Sequence, residues 1–142
     1  MRWPISRIGG STLELNTLID WQQELPKIAA AALEKGLDPA FIQAIRAQEN
    51  GSDQHPFGVL TPGSEGYDRQ LEITCATVAH RLASYTVNPL IRDSFGRVRY
   101  TTNWVAYFAS IWAPIEAGND PDNENANWYP NVIELYLKFR GE

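Results

Sequence analysis

Residues 36–60, GLDPAFIQAIRAQENGSDQHPFGVL, decide how the rest of the chain is read. Asp38 before Pro39 is a helix start: the carboxylate can accept first-turn amide hydrogens that have no intrahelical acceptor, and proline at the first helical position gives up a donor that would go unused. Phe41, Ile42 and Ile45, flanked by Ala44 and Ala47, recur at three- and four-residue spacing, so the helix turns one apolar side inward. Gln48, Glu49, Asn50 and Gly51 stand where it stops, with Gly51 expected in the left-handed conformation just past the end. Glu49 therefore lies in the last turn, where the helix dipole disfavours an ionised carboxylate and apolar surroundings would raise its pKa further. A carboxyl so placed has the property a general acid requires near neutral pH. The same position also suits a solvent-exposed glutamate that merely ends a helix.

Before this stretch, residues 1–16 contain Trp3-Pro4 and Gly9-Gly10 and read as an irregular arm docking through Trp3, Ile5 and Ile8. A first long helix is predicted from Asn16 or Thr17 to about Lys35. Leu18, Ile19, Trp21, Leu25, Ile28, Ala29, Ala32 and Leu33 recur along it at helical period, and Pro26 should kink it or mark a second start. After the stretch, Pro56, Gly58, Pro62, Gly63 and Gly66 exclude a helix, while Phe57, Val59, Leu60 and Tyr67 favour a packed loop. A third helix, about Asp68 to Tyr85, offers Leu71, Ile73, Cys75, Val78, Ala79, Leu82 and Ala83 as a broad apolar face and is expected to be central.

Asn88 to Tyr100 reads as a loop with a short hairpin, Leu90 and Ile91 facing Val98 around Ser94-Phe95-Gly96. Thr101 or Thr102 caps a fourth helix whose stripe is Trp104, Val105, Phe108, Ile111 and Trp112, ending at Pro114. A polar loop follows, then a final helix from about Trp128 to Phe139 with Val132, Ile133, Leu135, Tyr136 and Phe139 turned inward. The pattern predicts a mainly α domain of about five helices with little or no strand, spanning residues 1–142 as a single unit.

With 142 residues, 44% of them hydrophobic, the chain can bury a core without disulfides or metals. A net charge of -5 argues against nucleic acid as a partner, since phosphate binders present a basic face. No run reaches the roughly 18 apolar residues of a membrane span, and no N-terminal apolar core marks a secretory signal. A soluble protein made in the cytoplasm, without membrane insertion and monomeric, is the expectation. Cys75, the sole cysteine, sits in a helix pattern as a packing residue rather than a nucleophile. Asp120, Asp122 and Glu124 alternate like the first ligands of a calcium loop, but Asn125 and Asn131 stand where that loop needs glycine and a bidentate acid. They are better read as turn and helix caps, and neither a metal nor a cofactor is expected. No nucleophile elbow and no glycine-rich phosphate loop is present. Aromatic residues make up 11% of the chain, and Trp104, Tyr107, Trp112, Trp128 and Tyr129 gather towards its C-terminal half. Sugar rings pack on aromatic planes while their hydroxyls seek Asn, Gln and Asp. At helical spacing, Trp104, Phe108 and Trp112 read more simply as core.

Phe41-Ile42-x-Ala44-Ile45-x-Ala47-Gln48-Glu49-Asn50-Gly51, followed by Phe57-Gly58-Val59-Leu60, resembles the catalytic segment of the lysozyme-like superfamily, nearest to lytic transglycosylases and phage or cell-wall muramidases. Trp112-Ala113-Pro114, Asn119-Asp120-Pro121, Asn127-Trp128-Tyr129 and Asn131-Val132 are similar to a second segment of such domains, in the same order. Asn50 and Thr61 depart from the usual serine and glutamine. The resemblance implies a lysozyme-like fold and cleavage of the β-1,4 bond between N-acetylmuramic acid and N-acetylglucosamine in peptidoglycan. The protein would then act on the cell wall as a phage lysin or secreted effector. It carries Glu49 over as the acid, with Gln48, Thr61, Asn119, Asp120 and Tyr129 as substrate contacts. Glycosidases usually pair two carboxylates, for which Asp53, Glu65 and Asp68 are candidates, whereas a transglycosylase can use one glutamate as acid and then base. A non-catalytic glycan-binding or structural module of the same fold is the alternative.

Overall fold

The computed structural model describes residues 19–115, 120 and 123–142, so the arm at 1–16 and Leu18 lie outside the described residues. Helix α1 (Trp21–Glu34) starts at Asp20, whose side chain accepts a hydrogen bond from the Gln23 amide. It runs unbroken through Pro26, so the expected second start is absent from it. Its buried face is narrower than the periodicity implied: Ile28 and Ala32 are buried, whereas Leu33 is 65% exposed.

Helix α2 (Pro39–Glu49) forms as its sequence requires, with Asp38 Oδ1 accepting from the Ala40 amide and Pro39 at its start. Eight of its eleven residues are buried. Phe41 is the hub, set edge-on to Tyr100, Trp104, Phe108 and Tyr136 at centroid distances of 5.2 to 5.6 Å. Edge-to-face pairs of this kind add about 0.5–1.5 kcal/mol each beyond the area they bury. The core is therefore centred on α2, and the expectation that the third helix is central is corrected. In α3 (Tyr67–Ser84), Leu71, Cys75 and Val78 are buried together with the polar Gln70 and Thr74, while Ile73, Ala79 and Leu82 are half-buried and Ala83 is exposed. Two polar residues on the inward stripe leave α3 less apolar contact than its composition suggested.

Strands β1 (Leu90–Arg92) and β2 (Val98–Tyr100) form an antiparallel hairpin with Leu90 opposite Tyr100 and Arg92 opposite Val98. Helix α4 (Thr102–Trp112) is capped by Thr101, whose hydroxyl accepts from the Trp104 amide at 3.0 Å. Trp104, Phe108 and Trp112 stack along it at 5.4 and 5.5 Å. A 3-10 turn (Glu124–Asn127) leads into α5 (Trp128–Phe139), which buries Trp128, Val132, Leu135 and Tyr136. The fold is thus mainly α, as predicted, and no described helix is long and apolar enough to cross a membrane.

The start of α2 is tied to the C-terminal segment and the hairpin. Asp38 Oδ2 accepts from the Tyr136 hydroxyl at 2.7 Å and from Arg140 Nη1 at 2.6 Å, and Arg140 Nη2 donates to Asp93 Oδ2 at 2.6 Å. Burial draws the Asp93 carboxyl upward, but the Arg97 and Phe95 amides and the Arg140 and Arg97 guanidinium groups outweigh it and hold the group at about 2. One end of α2 is clamped by this cluster, and the other carries Glu49.

Candidate active site

Helix α2 ends on Asn50, which takes the left-handed conformation (φ 39°, ψ 47°) while its amide donates to the Arg46 carbonyl. Asn tolerates this region better than most residues. This corrects the reading of Gly51 as the left-handed residue. Glycine is required at 51 for another reason: a Cβ there would lie 1.9 Å from the His55 carbonyl oxygen. The chain doubles back so closely that the Gly51 amide reaches the Pro56 carbonyl at 3.2 Å.

Glu49 has no exposed surface, which removes the reading of a solvated helix end. Its Oε2 accepts from Trp128 Nε1 at 2.7 Å and from Trp112 Nε1 at 3.2 Å. The two indoles lie 6.5 Å apart, and Phe108 packs against both at 5.5 and 6.0 Å. Burial among rings disfavours the charged carboxylate, while indole N–H donors aimed at one oxygen favour it. The carboxyl is thereby held in one orientation at the end of an aromatic column drawn from α4 and α5.

Gln48, beside it, is also wholly buried, and among the described residues neither its amide nitrogen nor its oxygen meets a hydrogen-bond partner. Arg46, one turn earlier, grips Glu24 of α1 through Nε and Nη2 at 2.7 and 3.1 Å and donates from Nη1 to the Pro56 carbonyl at 3.2 Å. The loop that follows is held from Phe57 to Ser64 by Gln70 of α3. Gln70 Oε1 accepts from the Phe57 and Val59 amides, and its Nε2 donates to the Val59 and Ser64 carbonyls.

The remaining sequence-derived contacts are dispersed. Thr61 is exposed on the outside of that loop. Asp120 is buried, and its two oxygens accept from the Glu124 and Asn125 amides at 2.8 Å each, so it serves as a turn cap. Tyr129 lines a cleft of about 220 Å³ together with Ala106, Ala109, Ala113 and Ala126. Asn119 lies outside the described residues. The segment around Tyr129 reaches Glu49 through Trp128, which is buried and so presents no ring for stacking from solvent. Asp53, Glu65 and Asp68 are exposed, and Asp68 lies 3.9 Å from Lys27 Nζ. Among the described residues no group of three or more His, Cys, Asp and Glu side chains could hold a metal ion. Cys75 is buried, and that burial, opposed by Lys35 and reinforced by Glu34, pushes its thiol up to about 11.

Sequence reasoning missed Gln70, Arg46 and the donor role of the two tryptophans. A signal for Gln70 existed, since it is a large polar residue on the inward stripe that also carries Leu71, Cys75 and Val78, and a buried polar side chain is kept where it has partners to satisfy. No protein-family model, curated protein or solved structure matches this chain.

Proposed function

We propose that this protein is a lysozyme-like enzyme that cleaves peptidoglycan at the β-1,4 bond between N-acetylmuramic acid and N-acetylglucosamine, with Glu49 as general acid and then base. The observation that carries this reading is the wholly buried Glu49 carboxyl at the end of α2, oriented by the Trp112 and Trp128 indoles. Breaking a glycosidic bond requires a proton on the departing oxygen, and a carboxyl in an aromatic, water-poor setting is suited to keep and deliver it. The same group can then take a proton from water or from the C6 hydroxyl of the sugar itself. Gln48, whose buried amide lacks partners among the described residues, is the nearest candidate to meet an acetamido or hydroxyl group. Because Glu49 is covered, the reading entails that the glycan displaces part of that cover when it binds.

The same burial favours a second reading, in which Glu49 is a structural cross-link between α2, α4 and α5 in a non-catalytic module of this fold. Incubating the purified protein with peptidoglycan and analysing the released fragments by mass spectrometry separates the two. We expect soluble fragments from the wild type and none from a folded Glu49→Gln variant. Anhydromuramyl ends would indicate transfer, and reducing ends hydrolysis. Equal release by Glu49→Gln would refute the catalytic assignment, and no release by the wild type would favour the structural reading.

A further inference from the structure

We propose that Gln70 is a positioning residue whose side-chain carboxamide replaces a missing neighbouring strand and fixes loop 56–64 in the conformation presented beside Glu49. Gln70 is wholly buried. Its Oε1 accepts from the Val59 amide at 3.2 Å while its Nε2 donates to the Val59 carbonyl at 2.8 Å. One carboxamide thus exchanges two hydrogen bonds with one residue, as a paired residue does in an antiparallel ladder. It also accepts from the Phe57 amide at 3.3 Å and donates to the Ser64 carbonyl at 2.7 Å.

Four main-chain groups of a loop that packs Phe57 and Val59 into the core are therefore bonded by one side chain on another element, and of these, among the described residues, only the Val59 carbonyl has a second donor, Ser64 Oγ at 3.1 Å. Buried main-chain groups without partners cost more than the loop's own short-range bonds could offset. Without the carboxamide the segment must open to water. The start of the loop is also tied to the end of α2, where Arg46 Nη1 and the Gly51 amide both donate to the Pro56 carbonyl. Arg46 and Glu49 are one turn apart, so the loop and the carboxyl share a support. Gln70 sets the angle at which the loop leaves it, and the loop's outer face carries the exposed Leu60 and Thr61. Glutamate cannot replace it fully, because an ionised carboxylate donates nothing and a protonated one donates a single O–H where Nε2 serves both the Val59 and Ser64 carbonyls.

The anchoring role stands on geometry alone, whereas presentation of the loop to glycan rests on the catalytic reading of Glu49. The test uses Gln70→Met, with Gln70→Asn as a second variant that keeps the amide but shortens its reach. Circular dichroism, amide hydrogen exchange and kinetics on peptidoglycan are compared with the wild type. We expect unchanged helix content, exchange at the Phe57 and Val59 amides faster by roughly 10- to 100-fold, and no matching change in α2 or α5. On peptidoglycan we expect KM to rise about 5-fold or more with kcat within about twofold, the split that marks lost binding rather than lost chemistry. Exchange that is unchanged, or that rises evenly through all helices, overturns the anchor. A fall in kcat at fixed KM overturns the presentation role. A wild type that leaves peptidoglycan intact removes the catalytic reading and the presentation role together, and the exchange result still decides the anchor.

Discussion

Replacing Trp128 by Phe removes the 2.7 Å donor to Glu49 while keeping a ring in place. At a pH where Glu49 is ionised, the bond from Trp128 is one to a charged group, worth about 1.5–3 kcal/mol, and a partly unfilled site in a packed core adds roughly 1 kcal/mol. Trp128→Phe should therefore cost about 2.5–4 kcal/mol. Trp112→Phe removes a donor at 3.2 Å on the same oxygen and should cost less. In a Glu49→Gln background the acceptor is neutral, the Trp128 bond falls to about 0.5–1.5 kcal/mol, and the cycle should return a coupling of about 1 kcal/mol. Urea unfolding followed by far-UV circular dichroism is the suitable assay, because it does not depend on the tryptophans being replaced. The slope against urea should stay constant across the set. An equal cost of Trp128→Phe in both backgrounds, or a larger cost for Trp112→Phe, would refute the reasoning that the shorter Trp128 bond to Glu49 is the stronger of the two indole bonds.

Asp93 has its carboxyl lowered from 3.8 to about 2 in the folded chain, so its contribution is complete above the ordinary carboxylate range and is lost as pH falls from about 4 towards 2. Urea midpoints measured across that window should fall steeply for the wild type and less steeply for Asp93→Asn. Cys75, buried with its thiol pushed up to about 11, should react slowly with an aromatic disulfide reagent in the native protein at about pH 8 and rapidly once urea unfolds it.

Local chemistry was legible in the sequence wherever its partner lies close along the chain. Asp38-Pro39 and Thr101 start helices as their side chains dictate, and the hairpin forms where expected, although Val98 lies opposite Arg92 and not opposite Leu90 or Ile91. Periodicity located the inward face of α2 but overstated those of α1 and α3, and also placed inward Ile111, Ile133 and Phe139 of α4 and α5, which are half-buried, because it registers apolar residues without knowing how much neighbouring surface exists to cover them. Leu33 satisfies the helical period and still faces solvent. The site was legible only as a position, Glu49 at a helix end. Its cover comes from residues 63 and 79 positions away, and an indole counted as core by its spacing is equally able to aim its one N–H at a carboxylate. Gly51 was identified as a special residue for the wrong physical reason, since a steric approach by His55 and a positive φ leave the same mark on a sequence.

The cluster of Asp38, Asp93, Tyr136 and Arg140 also governs the order in which the protein can be assembled during synthesis. Asp38 and Arg140 are 102 positions apart, and Tyr136 is 98 from the same carboxylate. A nascent chain on the ribosome therefore carries α2, with Phe41 and its neighbours, long before the segment that covers them has been made. Contacts of such sequence separation form late, and the apolar face of α2 is left open to chaperones or to other nascent chains in the interval. Closure of the domain therefore requires that residues 128–142 have been made, since Tyr136 and Arg140 complete the contacts at the start of α2.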